Sequence, residues 1–257
     1  MIIGRRHGYL FVEVPNTGST AIAWELTRFY GGERLLHKHA TFAEFLRTPE
    51  GRSRAYFVFS TIRNPLDATL TQYFKMRSNH RGRFTSLRLR STPSVTPRHV
   101  ALFEYVQAGG DFAGFFQRFQ TGVYNNNYLL LAERMNVVMR YERLQDDFAQ
   151  VLSRLNITQV RPIPETNRTA GKSGNYWDYY TEEVRDRAMA SYWPYMKRWG
   201  YEFPAEWGTP RTRPLAELKF LSTRLAATSI ALALGVGPNS HVPWLVSGRD
   251  MVRRYWS

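Results

Sequence analysis

The sequence predicts an α/β fold with a parallel sheet flanked by helices. Three runs rich in Val, Phe, Tyr and Ile are typical of strands, at residues 8–14, 55–62 and 136–142. A segment with helical spacing follows each of these runs. This alternation favours parallel strands joined by helical crossovers, and such sheets bind ligands at the carboxyl ends of their strands.

The length of the chain predicts one core with an appended tail. It has 257 residues, of which 43% are hydrophobic. Three prolines and a glycine interrupt the sequence at residues 202–214, and a helical pattern follows. We therefore expect a main domain over residues 1–204 and a helical extension over 205–257 that packs on the core or on a second subunit. Its uncharged apolar part is shorter than the roughly 20 residues that cross a bilayer.

The charge of the chain indicates an anionic partner. The formal net charge is +14, from 35 Lys and Arg against 21 Asp and Glu. We expect residues 76–97 to form a long basic surface loop that contacts the acceptor, unless it is only a solvated loop. The stretch around it has no carboxylate and carries seven cations, which are Lys75, Arg77, Arg81, Arg83, Arg88, Arg90 and Arg98.

Other classes of protein receive little support. The absence of cysteine excludes thiolate metal sites and a cysteine nucleophile. No apolar stretch precedes Tyr9, so we expect a cytoplasmic protein without a transmembrane span, although peripheral membrane contact and a homodimer stay open. Nucleic acid is not expected as a partner, because the chain has no helix-turn-helix or zinc-finger signature.

The segment PNTGST at residues 15–20 predicts an anion-binding loop. It links the first strand to a helix, where backbone N–H groups and the helix dipole attract anions. Gly18 allows close approach, and the neighbouring hydroxyls add donors. The loop lacks the first glycine and the lysine of a nucleoside-triphosphate loop. It suits a phosphate or a sulfate group, and an ordinary strand-to-helix turn is the alternative.

A second anion site is predicted where the second strand ends. Arg63 closes that strand, and Thr71 follows eight residues later on a helix. Because eight residues are about two helical turns, both side chains can converge on one phosphate.

Together these motifs resemble a known family. FVEVPNTGSTAI (11–22) and TIRNPLDATLTQYF (61–74) are similar to the 5′-phosphosulfate loop and the 3′-phosphate motif of sulfotransferases that use 3′-phosphoadenosine-5′-phosphosulfate (PAPS). HKHATFAEF (37–45) resembles a segment of the carbohydrate O-sulfotransferases, in particular their uronyl 2-O branch. The resemblance covers about residues 8–204, including a late strand and helix and a closing segment, at 137–157 and 167–203.

The resemblance implies a P-loop-like sulfotransferase fold. It also implies PAPS as the sulfuryl donor, adenosine 3′,5′-bisphosphate (PAP) as the product, and no metal. The acceptor is then a hydroxyl of a carbohydrate or of a glycosylated or lipid metabolite, and an acidic acceptor suits the charge. His39 matches the position of the general base in that branch. Two alternatives are open: His37 faces the site instead, or His39 is only a packed side chain. The residues implied in nucleotide binding are Asn16, Thr17, Gly18, Ser19, Thr20, Arg63, Thr71, Lys172 and Ser173.

Asn16 is the main departure from the family, which usually carries a lysine there that helps to stabilise the leaving group. Three explanations are open. Lys38, or else Arg5 or Arg6, supplies the charge from elsewhere, and Lys38 then belongs with His39 and Asn16 among the catalytic residues. Asn16 suffices together with backbone amides. Or the protein binds the nucleotide without turning it over.

Overall fold

The structure of the protein is a computed structural model, and it describes residues 1–86, 95–165, 169–210, 214–235 and 237. These residues group into two compact units. Unit one comprises the described residues within 1–63, 126–168 and 224–240, and unit two comprises those within 64–125 and 169–223. The boundary expected after residue 204 stays a prediction.

Unit one is built on a mixed five-stranded sheet in the order β3-β1-β2-β4-β5. The strands are β1 (Ile2–Gly4), β2 (Tyr9–Val12), β3 (Glu33–Arg34), β4 (Phe57–Ile62) and β5 (Val137–Arg140). The prediction of strands is confirmed for β2, β4 and β5, which are parallel to one another.

The prediction of a wholly parallel sheet is wrong at one edge, because β1 pairs antiparallel with both β2 and β3. Only the turn at residues 5–8 joins β1 to β2. A parallel connection needs a crossover of about a dozen residues or more, so this turn permits only a hairpin.

Helices follow each of the three parallel strands, as predicted. In unit one they are α1 (Ser19–Phe29), α2 (Phe42–Leu46), α3 (Pro49–Ser53) and α7 (Leu144–Arg154). In unit two they are α4 (Pro65–Arg77), α5 (Pro97–Gln107), α6 (Phe112–Phe119) and α8 (Glu182–Trp199). The helix α9 (Pro214–Leu234) confirms the helical pattern of the tail.

The core of unit one holds the sheet against α1 and α7. Phe11 on β2 and Phe59 on β4 are fully buried, with ring centroids 5.1 Å apart. Phe148 on α7 belongs to the same cluster of buried side chains. Burying a large aromatic side chain stabilises the fold by on the order of 1.5–3 kcal/mol. This packing therefore holds in place β2 and β4, the two strands after which the predicted site residues follow.

Unit two has an aromatic core around α4. Asn64 begins α4 as its N-cap, since its Oδ1 accepts a hydrogen bond from Leu66 N at 3.0 Å, and proline at the first helical position is favourable. The Tyr180 hydroxyl donates to the Leu66 carbonyl at 2.9 Å, and the hydroxyls of Thr69 and Tyr192 lie 2.6 Å apart. These bonds satisfy polar groups that the core buries.

The prediction of a basic surface loop over residues 76–97 is wrong for part of its described residues. Helix α4 continues to Arg77, and Phe84 is buried with its ring stacked on that of Phe103, 4.9 Å between centroids. Arg98 donates to the Phe119 carbonyl at 2.6 Å, at the end of α6. The many charges of this stretch indicate a surface loop, but its apolar side chains pack into the core. Residues 87–94 lie outside the described residues.

Each half of α9 has contacts in its own unit. In unit two, Glu217 accepts a hydrogen bond from Trp193 Nε1 at 3.2 Å. In unit one, Arg224 donates to the Leu129 carbonyl at 2.7 Å. Within the described residues, none of the helices has the length and apolar character needed to cross a bilayer. The rest of the predicted extension beyond residue 237 lies outside the described residues.

Candidate functional site

The register of β2 and β4 brings the first loop and Arg63 to one edge of the sheet. Val12 is the parallel partner of Ser60, so the chain leaves both strands on the same side within a few residues. Arg63 Nη1 donates a hydrogen bond to the Asn16 carbonyl at 3.0 Å. The sequence predicts these two residues in separate anion sites, and the structure brings them into direct contact.

Tyr141 supports both Arg63 and the loop. Ile62 pairs with Arg140 across β4 and β5, so the next residues of both strands, Arg63 and Tyr141, are neighbours. The Arg63 guanidinium carbon lies 4.1 Å from the centroid of the Tyr141 ring, which is a cation–π contact. Tyr141 is not among the residues that the sequence predicts for this site, although its position directly after a strand, as for Arg63, is a signal that could have indicated it.

Gly18 is required by both its backbone and its surroundings. Its φ of 74° lies in the left-handed region, which glycine enters without a steric penalty. A Cβ atom there would lie 3.1 Å from Leu144 Cδ2 and 3.3 Å from Tyr141 Cδ2. The loop is therefore held closely against the segment that follows β5.

The backbone of the loop also favours asparagine at position 16. Asn16 has a φ of 62°, and asparagine is among the few non-glycine residues that adopt this region readily. A lysine would pay a larger conformational penalty there. The left-handed backbone at position 16 therefore explains why asparagine suits this chain better than the lysine of the resembled loops.

Two of the predicted donor hydroxyls hold the loop together. Thr17 Oγ1 and Ser19 Oγ donate to the Val14 carbonyl at 2.8 and 2.7 Å, and both side chains are buried. Thr17 also contacts the Thr61 hydroxyl. Thr20 is exposed, and its hydroxyl accepts a hydrogen bond from Lys38 Nζ at 2.8 Å. Of the three hydroxyls, that of Thr20 therefore lies at the surface beside a cation.

The amino end of α1 adds to the positive potential of the loop. The helix begins at Ser19, with Gly18 as its N-cap, and its first turn contains no acidic residue. The positive end of the helix dipole therefore lies at the loop with no carboxylate from that turn to offset it. Lys38 and Arg63 contact opposite ends of the loop, at Thr20 and Asn16.

His39 has the tautomer that a proton acceptor needs. Its Nδ1 lies 2.9 Å from the Glu13 carbonyl oxygen, which can only accept, so Nδ1 carries the hydrogen and Nε2 carries the lone pair. Burial, with a smaller contribution from the positive charge of Lys38, lowers the pKa of His39 to about 4. The imidazole is therefore neutral at pH 7.

His37 does not share the environment of His39. It is exposed, and its Nε2 lies 3.7 Å from Glu44 Oε1 on α2. In an extended segment His37 and His39 would share a face, but the Ala40 N–H donates to the His37 carbonyl at 3.1 Å and His39 has a φ of 64°. The segment turns, so alternate residues do not share a face.

The suggestion that Arg5 or Arg6 supplies charge at Asn16 is wrong. Arg5 donates to Glu50 at 2.9 and 2.7 Å and to Glu33 at 2.7 Å. Both arginines lie in the turn before β2, whereas the loop follows β2. A four-residue strand, roughly 13 Å long, separates the two ends.

The remaining predicted residues belong to unit two. Thr71 on α4 is buried, and within the described residues its hydroxyl has no hydrogen-bond partner. Lys172 forms an ion pair with Asp67, in the first turn of α4. The Ser173 carbonyl accepts a hydrogen bond from Tyr179 at 3.1 Å. The joint role of these residues with Arg63 stays a prediction.

Fold and site define an α/β protein in which Lys38 and Arg63 contact loop 15–20 and a neutral histidine lies beside it. Over the part of the chain that the structure describes, no three His, Asp or Glu side chains gather as metal ligands would. Comparison of the chain with protein-family models, with curated proteins and with solved structures finds no match.

Proposed function

We propose that this chain is a PAPS-dependent sulfotransferase with a P-loop-like fold, which transfers a sulfuryl group to an acceptor hydroxyl. The observation that carries the proposal is the contact of Lys38 and Arg63 with the two ends of loop 15–20, with His39 beside it. Cations on both sides suit a donor with several negative charges. A neutral imidazole suits an acceptor that must lose a proton.

The residues of the loop fit such a nucleotide by their chemistry. Backbone amides at the start of α1, with Thr20, Lys38 and Arg63, would hold the phosphosulfate end. When bound, PAPS supplies the sulfuryl group, whose bond to the phosphate oxygen breaks as the acceptor oxygen bonds to sulfur. The buried hydroxyls of Thr17 and Ser19 support the loop from behind, through Val14.

His39 is the proposed general base. Its Nε2 accepts the proton of the acceptor hydroxyl, while Nδ1 keeps its hydrogen bond to the Glu13 carbonyl. That bond fixes the orientation of the ring and stabilises the imidazolium that forms. Because burial keeps the pKa of His39 at about 4 in the free protein, the base is unprotonated at neutral pH.

Lys38 and Arg63 take the place of the lysine that the resembled loops carry at position 16. Negative charge grows on the leaving phosphate as the sulfuryl group departs, and a fixed cation near that oxygen lowers the barrier. Asn16 offers a neutral amide and a carbonyl that anchors Arg63. The preferred acceptors are hydroxyls on carbohydrates or on glycosylated or lipid metabolites, with acidic ones favoured by the net charge of +14.

The alternative is a protein that binds PAPS or PAP with weak or no turnover. Two observations favour it. Position 16 is a neutral asparagine in a left-handed backbone conformation, and the hydroxyls of Thr17 and Ser19 already donate to the Val14 carbonyl. Nucleotide binding is common to both proposals, whereas sulfate transfer belongs to the first alone.

Two measurements test these proposals in order. Calorimetric titration with adenosine 3′,5′-bisphosphate at moderate salt should give saturable binding, with adenosine 5′-monophosphate as the control that lacks the 3′-phosphate. Absence of binding rejects both proposals. Transfer of labelled sulfate from PAPS to a panel of sugars, phenols and lipids then separates an enzyme from a binding protein.

A further inference from the structure

Helix α9 carries a row of exposed leucines, which we name the leucine seam. Leu218, Leu225 and Leu232 are spaced seven residues apart, and Leu221 follows the first of them by three. The exposed fraction of the side chain is 63% for Leu218, 55% for Leu221, 69% for Leu225 and 41% for Leu232. Residues at these spacings lie on one face of a helix, as in the seam of a coiled coil.

The opposite face of α9 is anchored within the chain. Phe220, Ala227 and Ala231 are buried, with exposed fractions of 3, 1 and 3%. Arg47 fixes the end of the helix by donating to the Ala233 carbonyl at 2.6 Å. The buried side chains lie away from the leucine seam, and the leucines of the seam are exposed.

The charges of α9 are largely neutralised within the chain. Glu217 pairs with Lys197 at 3.1 Å, and Arg224 pairs with Glu133 at 3.1 Å. Helices that lie on membranes present several Lys and Arg on their polar face, whereas Lys219 is the remaining charged residue of α9. An apolar seam without a cationic border fits another apolar helix better than an anionic lipid surface.

We propose that the leucine seam pairs with the same seam of a second copy of this chain. A two-fold interface must be self-complementary, and a neutral row of leucines meets that condition. In an antiparallel pair, Leu225 lies at the two-fold axis, and Leu218 faces Leu232 because both are seven residues from Leu225. With 21 residues, α9 is about 31 Å long, enough for three heptads. This inference is independent of the proposed function.

Sedimentation of the full chain tests the proposal. The expected mass is twice 30.0 kDa at high concentration and 30.0 kDa on dilution. Leu225→Glu should weaken association at least 100-fold, whereas Ile230→Glu should leave it unchanged. Ile230 is the matched control because it is 38% exposed and lies about 140° around the helix from Leu225. A dimer that persists in Leu225→Glu overturns the proposal.

Disulfide trapping gives a second test that does not depend on the folding of a charged variant. The chain has no cysteine, so a single introduced thiol reports on one position. Leu225→Cys should form an interchain disulfide under mild oxidant, and Ile230→Cys should not. Efficient trapping through Leu218→Cys instead would indicate a parallel pair of the same seams.

A wild-type chain that is monomeric at every concentration also overturns the proposal. Flotation with phosphatidylcholine and phosphatidylserine vesicles then identifies a lipid surface as the occupant, provided that Leu225→Glu abolishes it. A monomer that does not float points to residues of the same chain after 235 as the cover of the seam.

Discussion

Arg63 and Asn16 are joined by a hydrogen bond from Nη1 to the backbone carbonyl, 3.0 Å long. This contact places a permanent cation beside the residue at which the resembled phosphosulfate loops carry lysine. At the other end of the loop, Lys38 Nζ lies 2.8 Å from the Thr20 hydroxyl. The loop therefore has two neighbouring cations although it contains none itself.

Replacing Arg63 should weaken nucleotide binding. Arg63→Ala removes a charge-assisted donor, so we expect the dissociation constant for adenosine 3′,5′-bisphosphate to rise roughly 10- to 100-fold. Arg54 is the matched control, because it precedes β4 where Arg63 follows it, and it also stacks on a tyrosine, Tyr56. Arg54→Ala should leave binding unchanged, and equal affinities for all three chains would reject the role of Arg63.

Replacing His39 should separate chemistry from binding. His39→Ala removes the proposed proton acceptor, so sulfate transfer should fall at least 100-fold while bisphosphate affinity stays within about threefold. His37→Ala is the neighbouring control and should keep transfer, since His37 points to Glu44. Loss of transfer and binding together in His39→Ala would show that the ring only supports the fold.

His39 also makes stability depend on pH. Its pKa is about 4 in the folded chain and 6.5 when unfolded, so between these values the unfolded state binds more protons. The free energy of unfolding should therefore fall as pH drops from 6.5 to 4, by up to about 3 kcal/mol from this residue. Urea unfolding at several pH values measures this change in the free energy of unfolding.

The control for that measurement is His39→Asn, because asparagine tolerates the positive φ of this position. Groups common to both chains, such as Glu13 and His80, whose pKa values are also lowered, cancel in the comparison. The difference in the free energy of unfolding between the wild-type chain and His39→Asn should be constant from pH 8 to 7 and shrink below pH 6.5. A constant difference down to pH 4 would contradict the assignment.

Lys38 and position 16 should compensate for each other. Lys38→Met should lower turnover at least tenfold, and adding Asn16→Lys should recover most of the loss, because a second cation again joins Arg63 at the leaving phosphate. Adding Asn16→Gly is the control, since it relaxes the left-handed backbone at residue 16 without adding charge. If Asn16→Lys alone raises turnover more than tenfold, the natural loop lacks the cation that Lys38 and Arg63 are proposed to supply.

Much of the framework could be predicted from the sequence because it depends on local patterns. Short runs rich in Val, Phe, Tyr and Ile indicate β2, β4 and β5, and the helices after them follow from spacing and from caps such as Asn64. Parallel strands end at one edge, so loop 15–20 and Arg63 could be assigned to that edge. Strands β1 and β3, of three and two residues, are too short to leave a pattern.

Tertiary structure alone decided which side chains meet. His39 and not His37 lies at the Glu13 carbonyl because a positive φ turns the segment. Lys38 and not Arg5 contacts loop 15–20, because Arg5 lies in the turn before β2 and the loop follows β2. The contact of Arg63 with Asn16 follows from strand register, which no stretch of sequence encodes by itself. Composition and spacing determine which elements form, whereas long-range packing determines which charges share a site.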